Sequence, residues 1–207
     1  MLSVETITVG AFAMNCYLVY DDASRQAIFI DPGLEAERLI KRAEDLNLKI
    51  KFIVNTHAHI DHVAETGDVQ AHFKVPFFIH SAELPLLNSI DEQAAMFGIK
   101  PGKTPDVTGY LDEQKEIEFS GFTGKILHTP GHSPGGISIY FKDHVFVGDC
   151  LFKDSIGRTD LYKGDYEQLI NSIRTHLFSL PDDTKVYSGH GPATTIGREK
   201  LHNPFLQ

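Results

Sequence analysis

Tryptophan is absent from this 207-residue chain, methionine occurs three times, and cysteine twice, at Cys16 and Cys150. Two cysteines make no disulfide framework, and a chain of this length buries about 70% of its unfolded surface without such staples. Long apolar runs are missing as well: residues 75–79 form one of the longest, far short of the roughly 20 a membrane helix needs. Positive charge is scarce, with 19 Lys and Arg against 28 Asp and Glu and a formal net charge of −9. Affinity for phosphate backbones comes from Lys and Arg clusters that displace counterions, so nucleic acid is not an expected partner. The first ten residues alternate polar with apolar and show neither the basic nor the apolar region of a secretory signal. A cytoplasmic protein without membrane association is therefore expected. What is present is a globular composition, 42% hydrophobic and 23% charged, with one entry out of line: eleven histidines.

Residues 4–9, 15–20 and 26–30 alternate or run apolar with β-branched and aromatic side chains, which predicts an opening β-meander that ends in the turn Asp31-Pro32-Gly33. Residues 35–47 place Leu39, Ile40, Ala43 and Leu46 at helical spacing, and 50–54 read as a short buried strand. A strand is predicted at 75–79 and a helical stretch at 82–97, interrupted near Pro85. The loop 98–105, with two prolines and two glycines, is the best candidate for a mobile flap. Strands follow at 117–119, 125–128, 136–141 and 144–147, then an amphipathic helix at 166–177 and a last strand at 185–187. No linker or low-complexity tract divides the chain. The expectation is one α/β (α+β) domain over residues 1–207, two packed sheets with helices outside.

The histidines are not scattered. The strand at 50–54 runs into Asn55-Thr56-His57-Ala58-His59-Ile60-Asp61-His62, three imidazoles and a carboxylate within six residues. On an extended segment His57 and His59 project to one side, and Asp61 and His62 reach a second point if the chain turns there. Two adjacent metal positions follow, because imidazole and carboxylate are the ligands of Zn²⁺ and related ions. Three later segments share one build, a strand delivering a ligand type into a Gly- or Pro-rich loop: Pro130-Gly131-His132-Ser133-Pro134, Gly148-Asp149-Cys150 and Ser188-Gly189-His190-Gly191. Glycine beside each lets the backbone turn sharply and keeps bulk away from an ion.

This ordered series resembles the metallo-β-lactamase-fold hydrolases, whose pattern is His-x-His-x-Asp-His followed by separate His, Asp and His ligands. The resemblance implies an αββα sandwich of two mixed sheets with the ligands on loops at one edge. It implies that His57, His59 and His132 hold one divalent ion, that Asp61, His62 and His190 hold a second, and that Asp149 bridges them. Zinc is the first expectation for both ions, with iron or manganese as alternatives. Cys150 is expected to be a small buried residue beside Asp149. Among the other histidines, His72, His80, His144, His176 and His202 are expected to be ordinary, and His128 to back the His132 loop.

Gly157-Arg158-Thr159-Asp160, shortly after Asp149, resembles the branch containing glyoxalase II (hydroxyacylglutathione hydrolase) and the persulfide dioxygenases. The chain is similar to the short bacterial type II glyoxalases, which implies that a hydroxide bridging the two ions cleaves S-D-lactoylglutathione or a related small-molecule glutathione thioester. Asp61 and Asp149 would then serve catalysis, and Arg158, with Lys153 nearby, would hold a substrate carboxylate. Alternatives are a mononuclear iron persulfide dioxygenase and a hydrolase of another ester, lactone or thioester. Asp31-Pro32-Gly33 resembles a turn common in this fold, which implies that Asp31 supports the metal loop.

Overall fold

The computed structural model describes residues 1–112 and 116–207. Six strands form the first sheet: β1 (Leu2–Val9), β2 (Met14–Asp21), β3 (Gln26–Ile30), β4 (Lys49–Val54), β5 (Phe77–Ile79) and β6 (Gly109–Tyr110), in that spatial order. The first three pair antiparallel as a meander, and β3 through β6 are parallel. The second sheet contains β7 (Glu116–Phe119), β8 (Phe122–His128), β9 (Ile137–Phe141), β10 (His144–Gly148), β13 (Lys185–Ser188) and β14 (Thr194–Thr195), in the order β14-β13-β10-β9-β8-β7. A small hairpin, β11 (Leu151–Phe152) with β12 (Ser155–Ile156), follows β10.

The period-two pattern of β2 shows why two sheets stack. Tyr17 and Val19 face inward, joining Ile28, Ile30 and Val54 against Ile139, Phe141 and Phe146 of the second sheet. Cys16 and Leu18 face outward, under a helical layer. That layer consists of α1 (Ala36–Asp45), α2 (Ile60–Val63), α3 (Thr66–Phe73), α4 (Leu84–Leu87) and α5 (Ile90–Phe97). Helices α6 (Tyr166–Ser172), continued by a wider π-type turn at Ile173–Leu177, and α7 (Ile196–His202) cover the second sheet through Leu169, Ile173 and Ile196. The layers thus run helix, sheet, sheet, helix, as the αββα expectation requires. Among the described residues, no helix is long and apolar enough to cross a membrane.

Helix α1 buries Ala36, Leu39 and Ala43 at helical spacing, and Asn47, at φ 53°, turns the chain into β4 in the left-handed conformation that Asn tolerates. The predicted helix at 82–97 is broken into three pieces, a 3₁₀ turn at Ser81–Glu83, then α4 and α5. Pro85 lies in the first turn of α4, where its missing N–H costs nothing. Helices α2, α3 and α7 and the strand pairs at β6, β11, β12 and β14 escape sequence reading because they are one or two turns, or two residues, long and lack a full period. The 98–105 loop is not a free flap. Gly102 N–H donates to the Ala64 carbonyl at 2.9 Å and Lys103 N–H to Asp68 Oδ2 at 3.0 Å, which pins the loop to the α2–α3 region.

Candidate metal centre

Every candidate ligand lies in a connection at the same edge of the two sheets, where β4, β8, β10 and β13 end, on a loop or, for Asp61 and His62, on the short helix α2. After β4 the chain bends at Thr56 and is extended at His59, with φ −68° and ψ 150°. It then turns into α2, which carries Asp61 and His62 to the second position. The turn that the sequence required is this single helical turn. Asn55 holds it, donating from Nδ2 to the His62 carbonyl at 2.6 Å.

Two triads result. Ligand atoms of His57, His59 and His132 lie within 4.8 Å of one another, as do those of Asp61, His62 and His190. Asp149 stands between them: Oδ1 is 3.4 Å from His62 Nε2, and Oδ2 is 3.7 Å from His132 Nε2 and 3.5 Å from His190 Nε2. All seven candidate ligands are thus brought together. Cys150 belongs to neither triad; it is buried, and burial pushes its thiol up to about 12.

The ring nitrogens turned away from the centre are held by hydrogen bonds. His62 Nδ1 donates to Asp31 Oδ2 at 3.1 Å, His132 Nδ1 to the Arg158 carbonyl at 2.8 Å, and His190 Nδ1 to the Phe12 carbonyl at 2.9 Å. Thr56 Oγ1 donates to Asp31 Oδ2 at 2.6 Å, which leaves its lone pairs to accept from His57 Nδ1 at 3.0 Å. These bonds fix the orientation of the four rings and turn each Nε2 inward, as in metal sites. Asp31, at φ 52°, is the hub, since it also accepts from the Thr56 backbone N–H at 2.6 Å.

These residues fit a pair of cations. The Nε2 atoms of His57, His59 and His62 and Oδ1 of Asp149 are buried with no hydrogen-bond partner among the described residues, a costly state that a bound ion would relieve. His59 Nδ1 donates to His132 Nε2 at 2.8 Å, which holds the two rings of the first triad together and leaves His59 Nε2 as its free lone pair. Among the described residues, Asp31, Asp61 and Asp149 have no Lys or Arg ion-pair partner, and imidazoles stand against each of them.

Electrostatics separates the triads. Burial, reinforced by neighbouring imidazoles, pushes His57 well below its usual value and His59 down to about 3. Burial also lowers His132. At His62 and His190 burial acts in the same direction, but the carboxylates of Asp61 and Asp149 outweigh it, and both are raised. In return the imidazoles hold Asp61 and Asp149 below the ordinary carboxylate range against the opposing effect of burial.

Glu83 escapes sequence reading because nothing near it in the chain marks it. It is fully buried and accepts from Ala58 N–H at 2.8 Å and Gly135 N–H at 2.6 Å, stapling the His57–His59 segment to the His132 loop. Phe12 and Phe97 escape it too. Their rings meet edge to face at 6.1 Å over a cavity of about 260 Å³, which Ile60, Leu161, Arg158, Asp149 and two members of each triad also line. Lys153 is exposed on the tip of the β11–β12 hairpin and does not line the cavity. His128 touches the His132 loop, where Nε2 donates to the Pro134 carbonyl at 3.3 Å, and its ring stacks on His80 at 4.4 Å.

A four-layer αββα sandwich with facing His/Asp triads on one edge defines the metallo-β-lactamase class of fold. Residues 9–190 match the Metallo-beta-lactamase superfamily, and the chain belongs to it. It is 44% identical to hydroxyacylglutathione hydrolase GloC of Haemophilus influenzae, across 99% of this chain and 98% of that protein. The crystal structure of BLEG-1 B3 metallo-beta-lactamase superposes with a TM-score of 0.91 at 39% identity, covering 99% of this chain and all of that one. TTHA1623 in a di-iron-bound form superposes with a TM-score of 0.88 at 37% identity, over 98% of this chain and all of that one. Membership and donor set together define a metal-dependent hydrolase.

Proposed function

We propose that the protein hydrolyses the thioester of S-D-lactoylglutathione or a related hydroxyacyl-glutathione, releasing glutathione and the hydroxy acid. The observation that carries this reading is the placement of Asp149 between two complete triads, at the wall of a cavity rimmed by apolar side chains and Arg158. His57, His59 and His132 would hold one divalent cation and Asp61, His62 and His190 the other, with Asp149 shared. Bound there, two cations lower the pKa of a water and polarise a carbonyl oxygen.

The chain's own groups do the rest. Asp61 and Asp149, both at the cavity wall, orient the attacking water. Phe12, Ile60, Phe97 and Leu161 exclude bulk water from the acyl group. Attack on the carbonyl carbon breaks the C–S bond, and a thiol of ordinary pKa near 8.5 departs as thiolate with little help from a general acid. Similarity to the Haemophilus protein supports the substrate class.

Metal analysis combined with a substrate panel tests this. The expected outcome is about two ions per chain and oxygen-independent cleavage of S-D-lactoylglutathione. Oxygen consumption with glutathione persulfide and a single iron would favour the dioxygenase instead, and turnover confined to β-lactams would favour a lactamase. Retained thioester turnover in a folded Asp149→Ala variant would sink the two-ion mechanism.

A further inference from the structure

The loop that follows β12 does two jobs. The Arg158 carbonyl accepts the His132 Nδ1 proton, which ties the residue to the first triad. Its side chain, 57% exposed, lines the cavity under Phe12 and Phe97 and also a more open depression beside it, walled by Phe152, Ser155 and His190. Among the described residues lining either space, Arg158 is the sole Lys or Arg.

That cation is not free. Arg158 Nε donates to Asp160 Oδ1 at 2.6 Å and its Nη2 to Asp160 Oδ2 at 2.8 Å. Two parallel N–H···O bonds are what a guanidinium offers an incoming carboxylate. One residue, Thr159, separates the partners, so the pair forms without drawing two elements together. Asp160 occupies from within the loop the Nε/Nη2 edge, one of the two on which the guanidinium can grip a carboxylate.

We propose that Asp160 is a specificity-determining residue, a resident carboxylate that competes with a substrate carboxylate for Arg158. The cavity then selects first by its apolar walls and second by a terminal carboxylate. This rests on the thioester reading above for the identity of the substrate. The pair is exposed on both sides, at 57% and 68%, so solvent screens it and the penalty on an anionic ligand is modest. Losing it corresponds to a gain of about two- to fivefold in affinity.

The test is binding, by calorimetry on the metal-loaded protein, of S-hexylglutathione, a thioether that cannot be hydrolysed, and of the same molecule with its glycine carboxylate capped as an amide. Asp160→Asn and Asp160→Ser are expected to bind the free acid about two- to fivefold more tightly than wild type. The gain should be absent for the amide and absent when Arg158→Gln is combined with either change. Equal or weaker binding of the free acid, a gain shared by the amide, a gain surviving Arg158→Gln, or no binding of the thioether by any of these proteins would each overturn the proposal. Because no bond breaks, the two readings fail separately. Thioester cleavage without the binding gain removes only the role of Asp160, and the gain without cleavage removes only the proposed reaction.

Discussion

At the scale of the residue, the imidazoles divide into two electrostatic kinds, and a pH dependence follows. His57, His59 and His132 are lowered, so at neutral and mildly acidic pH they stand unprotonated and ready to bind an ion. His62 and His190 are raised, so a cation arriving there must displace protons, and each costs about a factor of ten in affinity per pH unit below its pKa. Between pH 7.5 and 6, affinity at the Asp61–His62–His190 triad is expected to fall more steeply than at the first, as read by competition with a chromophoric chelator. Equal slopes would contradict it. In the metal-free protein the lowered group has the opposite consequence for folding. A His59 held at about 3 binds its proton less readily than in the unfolded chain, where it titrates near 6.5, so it destabilises the fold progressively as pH falls from about 6.5 toward 3. Asp31 acts through others. Asp31→Ala removes the acceptor of His62 and of Thr56, which in turn steadies His57, and metal affinity is expected to drop about 10- to 100-fold, measured by metal titration of the folded variant.

At the scale of the element, the site depends on loops that have no regular structure of their own, so cross-links between them matter. Glu83, at the junction of the 3₁₀ turn and α4, joins the loop after β4 to the loop after β8. Burial raises its pKa while its donors act against that rise. Glu83→Ala leaves two buried N–H groups without an acceptor, and an unfolding free energy lower by roughly 2–5 kcal/mol is expected from denaturant titration. Glu83→Gln keeps one acceptor oxygen and should recover part of the loss. Similar stability of the two variants would show that the staple is unimportant. Gly189 is a second such constraint, since a Cβ there would overlap the Asp149 carboxylate and the His62 ring.

At the scale of the whole molecule, the ligands converge because two sheets pack. Asn15 of β2 donates from Nδ2 to the Ser188 and Gly191 carbonyls at 3.1 and 2.9 Å, locking the first sheet to the His190 loop of the second. Phe146, fully buried between the sheets, meets Tyr17 at 5.1 Å and Tyr187 at 5.0 Å. Phe146→Ala is expected to lower global stability by about 3–5 kcal/mol, with both triads lost in the same transition because neither is complete on one sheet. Separate transitions for metal release and for loss of secondary structure in the metal-loaded variant would argue against that coupling.

Much was legible beforehand because it is local. The meander, α1 and the strands that end at the ligands follow from period and turn chemistry. His57, His59, Asp61 and His62 announce themselves by crowding within six residues, and Gly-flanked His132, Asp149 and His190 by their repeated strand-to-loop setting. What the chain by itself determined is therefore the donor set and the elements that deliver it. Only the tertiary structure decided that Glu83 braces the loops after β4 and β8, that Phe12 meets Phe97 over the cavity, and that Asp160 takes one edge of the Arg158 guanidinium. Most of these are contacts across long sequence separations or between different loops, and even the nearby Arg158–Asp160 pair needs the loop's fold to set its geometry. No local pattern encodes them. They exist once burial of the two apolar sheet faces has fixed where every loop end must stand.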